Sequence, residues 1–503
     1  MKGRDDMKIA MEYQSKADCR EVFRQTKQIQ EHADYIVPDV LEDLGQIASA
    51  EAQICLKSKE LVDHGVQIGA QAEISVFYIT EERNRVRCMR FTKPIETQID
   101  CPALDPDSVV QLTLVCQGVQ ARAVNPRKIS VQLALRVDLS CWAAGSLDIP
   151  TEPGTEMRED LQLLRKNAKN TATVQLGEKS FVVSEQLPLD TTGEPCAIVC
   201  ARAEVFYSDC QIIGSKALIK GGAQLRIGYE TEGSTAPQFS EHCLPFSLLI
   251  DMPDENCVPG RILLQPTALY TELSDAINGS QVVDVELHAV AQVSFEKEEI
   301  LTYICDAYST RCPVSAEECV ISICSGREKD VLHADTTERI KVERDRGLVA
   351  AVQADILSFA ARDGKAVLSV AVSLLLQTED GSFSALQRLI SFDSDLFNAE
   401  CELVCARVVS LTAERQEDEI QLKLSCEAVC LSGEYTDLHC LSSLDLDTEN
   451  TYDPGSMPSF TLIRKAGREM WEIAKAYRSS AEAIEAISER YAVPGDLLLI
   501  PRV

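Results

Sequence analysis

The chain is short of positive charge: 49 Lys and Arg face 79 Asp and Glu, a formal charge of −30, and no basic block interrupts the excess. Such a surface repels phosphate backbones and anionic headgroups, so nucleic acid is not an expected partner. Long apolar runs are missing too. The most hydrophobic stretch, LSVAVSLLL at 368–376, is about half the length of a bilayer-crossing helix and alternates in part like a strand, so no membrane span is expected. The opening residues, MKGRDDMKIAMEYQSKADCREVF, contain neither the apolar core nor the small-residue cleavage site of a signal peptide, and export by that route is not expected. Aromatic residues are scarce at 5% against 45% apolar, which points to aliphatic cores. The six histidines (His32, His64, His242, His288, His333, His439) are dispersed, and no H-E-x-x-H, G-x-S-x-G or phosphate loop occurs. Catalysis is not expected, and nothing calls for a cofactor or a metal.

Cysteine is plentiful, at twenty residues, but spread along the whole chain rather than packed into a small disulfide framework. The pairs Cys196/Cys200, Cys401/Cys405 and Cys426/Cys430 lack the C-x-x-C step of a zinc knuckle; on a strand, a four-residue step only sets both thiols on one face. Free, buried thiols are expected.

A length of 503 residues exceeds one core, and the division is visible as a repeat. Gly65, Gly214 and Gly364 each open an apolar segment, at spacings of 149 and 150 residues. Ala52-Gln53-Ile54, Ala203-Glu204-Val205 and Ala354-Asp355-Ile356 precede them at a matching offset, and Val37-Pro38 matches Leu187-Pro188. Each copy closes on a strictly alternating tract. Ile129, Val131, Leu133, Leu135, Val137, Leu139 and Cys141 fall on one face of the first, with Ser130, Gln132, Arg136, Asp138 and Ser140 on the other. Val283 to Phe295 and Ile420 to Cys430 repeat the pattern.

With turn signals at Asp63-His64-Gly65, Asn278-Gly279, Asp363-Gly364 and Asp380-Gly381, the expected class is mainly β: three tandem antiparallel β-sandwich-like domains. Helix is expected only at residues 8–32 and in a linker from Glu156 to Lys169.

An acidic Pro/Gly stretch, LDLDTENTYDPGSMP, reads as a flexible tether. Beyond it the pattern is a strand, two amphipathic helices and a strand, a βααβ order. Gly467, Trp471, Ile473, Ala474, Tyr477, Pro494, Gly495, Leu498, Ile500 and Pro501 fall where a LysM module has them, and the segment resembles that family. Arg468-Glu469 stand where LysM modules have Asp-Thr, and residues 488–490 replace the usual Asn. Both departures flank the groove with which such modules grip N-acetylglucosamine chains. The resemblance implies a groove lined by Lys465, Gly467, Arg468, Glu469, Met470, Arg490, Tyr491 and Pro494. Trp471 and Tyr477 are expected as core residues rather than sugar-stacking rings. Residues 457–503 carry seven basic against six acidic side chains, the least acidic part of the chain.

Together, repeat and module resemble the SPOCS-plus-LysM proteins of endospore-forming Firmicutes, the SipL-type spore coat morphogenesis family. The resemblance implies a non-enzymatic scaffold in the mother-cell cytoplasm at the forespore surface, with a SpoIVA-like coat-basement ATPase as partner of the LysM module. Peptidoglycan is the alternative partner. The expected division is a helical segment at 1–32, repeats at 33–150, 151–312 and 313–445, an acidic linker at 446–457 and the LysM-like module at 458–503.

Overall fold

The computed structural model describes residues 7–102, 104–154, 159–189, 193–275, 281–342, 348–396, 401–416, 418–453, 458–491 and 496–503. Almost all of them are strand, paired antiparallel throughout. The alternating tracts determine the layout, because a period of two leaves one face that must be covered. Ile129 to Cys141 lie on β7 (Lys128–Ala143), which is central in a sheet with β2 (Arg20–Ile36) and β6 (Val109–Asn125). Every inward residue of that tract is at most 2% exposed. A second sheet covers it, a meander of β3 (Leu44–Val62), β4 (Gly65–Thr80) and β5 (Val86–Asp100), and the two sheets share one aliphatic core.

The pattern recurs twice. β14 (Gln281–Ser309) is central between β9 (Leu161–Pro188) and β13 (Cys257–Asp275), and shares a core with the meander β10 (Pro195–Ile213), β11 (Lys216–Thr231) and β12 (Gln238–Asp251). β20 (Glu419–Leu446) lies between β15 (Val314–Lys341) and β19 (Glu402–Gln416), and shares a core with β16 (Leu348–Arg362), β17 (Lys365–Gln377) and β18 (Phe383–Asp395). The spaced glycines belong to the first hairpin of each meander. Gly214, at φ +60°, and Asp363-Gly364, at φ +50° and +74°, occupy two-residue loops that need left-handed backbone. Gly65 differs: His64 takes the positive φ, and Gly65 stands where a Cβ would lie 2.6 Å from the Ile99 carbonyl oxygen. The turn at Asn278-Gly279 lies outside the described residues.

Past the sheets, the outer strands run on as two-stranded arms. β1 (Met7–Ala17) pairs with β8 (Ser146–Pro153), residues 161–170 with 299–309, and 314–324 with 435–446. β1 also pairs with β20, from Met7 opposite Leu446 to Ala10 opposite Ser443, and two small apolar clusters fill the space among the arms.

Two expectations need correction. Residues 8–32, read as helix, are β1 and β2; on β2 the half-buried face carries Lys27 and Glu31 beside Ile29 and Tyr35, which blurs the period of two. Residues 161–169, read as linker helix, are the start of β9, hydrogen-bonded to β14 along their length; cross-strand pairing overrides the helix propensity of Leu, Lys and Arg. The first residues of that supposed helix, 156–158, lie outside the described residues.

The polar face of the closing tracts is not simply wet. Arg136, Ser140, Gln292, Ser294 and Glu296 are at most 9% exposed, because neighbouring units pack against them. Gln292 accepts the Leu112 N–H at 3.0 Å and donates to the Leu112 carbonyl at 2.7 Å, and Gln53 accepts the Ala203 N–H at 2.7 Å. Glu51, 3% exposed, meets Arg226 Nη1 at 3.2 Å; Arg202 pairs with Asp355 and Arg327 with Glu296. The units are joined by amides and ion pairs, and by an apolar cluster in which Phe77 and Val86 of the first meet Cys200 of the second and Leu375 of the third.

Candidate functional site

The C-terminal segment folds as β21 (Phe460–Arg464), α1 (Met470–Tyr477), α2 (Ala481–Arg490) and β22 (Leu497–Pro501). β21 and β22 pair antiparallel, Phe460 opposite Pro501. Ile473, Ala474 and Ile484 turn inward at helical spacing and meet Ile500 of β22, all at most 2% exposed. Ser480 caps α2 by accepting the Ala483 N–H at 3.1 Å, and the buried Ser479 hydroxyl donates to the Pro501 carbonyl at 2.6 Å.

This small core is completed from outside. Tyr308, near the end of β14, belongs to the same apolar cluster; its ring meets Trp471 edge to face at 4.9 Å and its hydroxyl donates to the Ser479 carbonyl at 2.6 Å. Asp306, two residues earlier, accepts the Trp471 indole N–H at 2.7 Å and the Lys475 ammonium at 2.7 and 2.8 Å. Burial alone would raise the Asp306 carboxyl, but Lys475 and Trp471 hold it below its ordinary value. Burial, with Asp306 beside it, pushes the Tyr308 hydroxyl up to about 12. Tyr452, in the acidic stretch read as a flexible tether, donates its N–H to the Arg311 carbonyl at 2.8 Å and carries the Arg478 guanidinium 3.4 Å above its ring. Trp471 is therefore half core residue and half anchor to the β-built body.

The expected groove residues fall into two sets. Lys465, Gly467 and Arg468 form the turn after β21, with Gly467 at φ +78°; the turn is closed by the Arg468 N–H on the Lys465 carbonyl at 3.0 Å and tied to the start of β22 by the Lys465 N–H on the Asp496 carbonyl at 2.7 Å. Glu469 and Met470 begin α1, Met470 half-buried against the module's core and Glu469 exposed. Arg490 and Tyr491 end α2, Tyr491 is 60% exposed, and the Arg490 guanidinium lies 6.0 Å from its ring centre. No hydrogen bond or ion pair among the described residues joins the two sets. Pro494 lies outside the described residues. The anchors Asp306, Tyr308 and Tyr452 were missed; Asp306 and Tyr308 lie where β14 outruns the alternating tract that defines the repeat, and Tyr452 lies in the acidic stretch after β20.

Elsewhere the chain has little chemistry to offer. All twenty cysteines are free thiols, and burial pushes Cys426, Cys430 and Cys440 up to about 12, far from a reactive thiolate at neutral pH. Among the described residues no His/Cys/Asp/Glu group is arranged to hold a metal ion, and no helix is long and apolar enough to cross a membrane.

Comparison with known families gives one match. Residues 43–124, from the start of β3 to the end of β6, match the family model described as SipL, SPOCS domain. That match supports a SipL-type family and a sporulation-related role. No curated protein and no solved structure matches the chain.

Proposed function

We propose that this chain is a non-enzymatic scaffold of endospore coat assembly, in which a body of three SPOCS-like units holds out a LysM-like adaptor. The adaptor docks a coat-basement morphogenetic protein, a SpoIVA-like ATPase, at the forespore surface in the mother-cell cytoplasm. The observation that carries the reading is the orientation lock on the module. Asp306 and Tyr308 clamp α1 to the body, while Arg468, Glu469, Arg490 and Tyr491 stay exposed. A catalytic domain has no need of such a display, whereas an adaptor needs one surface presented in a fixed direction. The match of residues 43–124 supplies the sporulation context.

The rim chemistry favours protein over glycan. Sugar chains are gripped by ring faces, and the largest ring of the module, Trp471, is committed to Tyr308 and Asp306. The rim offers the guanidinium groups of Arg468 and Arg490, with Tyr491 as its one exposed ring among the described residues, and guanidinium groups suit carboxylates on a protein surface. The test is a binding titration of the full chain against the purified coat-basement ATPase, beside sedimentation with purified peptidoglycan. Saturable binding that is lost on deleting residues 458–503, with no enrichment in the peptidoglycan pellet, is the expected result. Full affinity after the deletion, or a peptidoglycan pellet enriched in the chain, overturns it. A fluorescent fusion in sporulating cells should outline the forespore; a diffuse signal counts against the proposal.

A further inference from the structure

A cavity of about 270 Å³ lies where the three units meet, walled by β2, β6 and β7 of the first, β13 of the second and β16 with residues 401–404 of the third. Its polar groups are unevenly provided for. Arg136 donates to Asp138 at 2.8 Å and to the Phe359 carbonyl at 3.1 Å, with its guanidinium 3.7 Å above the Phe359 ring. Arg24 is held by Glu21 on one side and Glu402 on the other. Glu402 must also serve Arg261, which reaches it only through Nη2, at 2.8 Å. Arg261 Nε and Nη1 are buried and have no hydrogen-bond partner among the described residues, and the same holds for both amide atoms of Gln111, a side chain 2% exposed in the same wall.

Buried polar groups without partners are costly and uncommon, and here two of them line one cavity. The guanidinium offers only donors, and the amide adds two more N–H bonds. Burial, with Arg24 beside it, holds Arg261 below the usual arginine value against the pull of Glu402, Glu21 and Asp138. The volume is several times the roughly 30 Å³ of one water in the liquid, enough for a polyatomic ion.

We propose that this cavity is a binding site for a small oxyanion, a phosphate or a carboxylate, bridging Arg261 of the second unit and Gln111 of the first. Bound there, the ion ties the second unit to the first, while Arg261 reaches the third through Glu402.

The test is calorimetric titration of the full chain with inorganic phosphate and, separately, malonate, each against sodium chloride at matched ionic strength. Thermal unfolding is followed in parallel. Saturable heat and an unfolding midpoint that climbs with the logarithm of oxyanion concentration are expected. Saturation by phosphate alone assigns a tetrahedral ion, and by malonate alone a carboxylate. Arg261→Met should weaken binding at least tenfold. Because that variant risks the fold, Gln111→Leu is the second probe: it removes an orphaned amide, should keep the oxyanion-free midpoint or raise it, and should weaken binding about tenfold. Heats equal to the sodium chloride control mean that water fills the cavity; equal affinity in wild type and Gln111→Leu puts the ion elsewhere. Either result overturns the proposal.

Discussion

The interior of each unit is mainly aliphatic, whereas the seam between units mixes an apolar cluster with buried amides and carboxylates. Inside, Leu133, Leu135 and Val137 meet aliphatic partners of the covering meander, and burial itself stabilises the contact. Along the seam the buried groups include Glu51, Gln53, Gln292 and Glu296, with the half-buried Arg226 and the more exposed Arg327 as ion-pair partners, beside the apolar cluster that brings Phe77, Cys200 and Leu375 together. Hydrophobic packing tolerates exchange of side chains of similar volume, whereas a desolvated ion pair gives little net stability and a large penalty when half of it is removed. The difference suits a body whose units fold on their own cores and are then held in one mutual orientation.

The sharpest way to break that comparison is to halve a seam pair. Arg226→Met strands the Glu51 carboxylate, 3% exposed with Oε1 already unpartnered among the described residues, and should cost about 3–5 kcal/mol in urea unfolding. The double variant Glu51→Leu/Arg226→Met should recover most of the loss, since two apolar groups replace two buried charges. If the double variant is as unstable as the single, the pair is stabilising in itself and the contrast fails. Truncation of the interior comes next. Leu135→Ala, at 1% exposure in the first core, should cost about 3 kcal/mol, with no partner substitution able to restore it short of refilling the volume.

What the sequence shows of this contrast is one-sided. The interior was legible because a period of two survives in one strand: the tracts from Ile129, Val283 and Ile420 are buried residue for residue. The seam was not, because Arg136, Gln292 and Glu296 read as the wet face of those same strands and only a neighbouring unit's surface makes them buried. Likewise β1, β2 and the start of β9 carry Lys, Arg, Glu and Gln on edge or half-covered faces, where tertiary pairing decides the structure. In the C-terminal module the local order of strand, helix, helix and strand was readable from its own residues. Its anchors were not, since Asp306 lies 165 positions from Trp471 in sequence.

That anchor sharpens the comparison at a third contact, where the module meets the body through the Asp306 carboxylate beside the Tyr308 ring. Asp306→Ala removes the acceptor of both Trp471 and Lys475 and should cost about 1–2 kcal/mol of docking, read as faster hydrogen exchange in α1 with the body's exchange unchanged. Acid should do the same. The folded Asp306 carboxyl is held below its unfolded value of about 4, so its contribution is complete above that value and lost as pH falls through the folded one. Protection of α1 relative to the intrinsic exchange rate should therefore fall below about pH 4 in wild type and stay level in Asp306→Ala. A wild type indifferent to that descent means that Tyr308 packing alone holds the module.

The rim sets the lower end of the scale and separates charge that orders the body from charge that addresses a partner. Arg468 is exposed, and its side chain donates to the Arg464 carbonyl at 3.3 Å. Reversal of an exposed charge away from packing or capping contacts leaves stability nearly untouched, so Arg468→Glu should unfold with the wild type. Its effect belongs to association: a rim guanidinium that faces a partner carboxylate acts on the on-rate and its salt dependence. Arg468→Glu should slow association with the coat-basement ATPase about tenfold at low salt, with the difference shrinking as salt is added. An association rate unaffected by Arg468→Glu and by Arg490→Glu alike would move the partner's footprint off the rim and onto the edges of the β-built body.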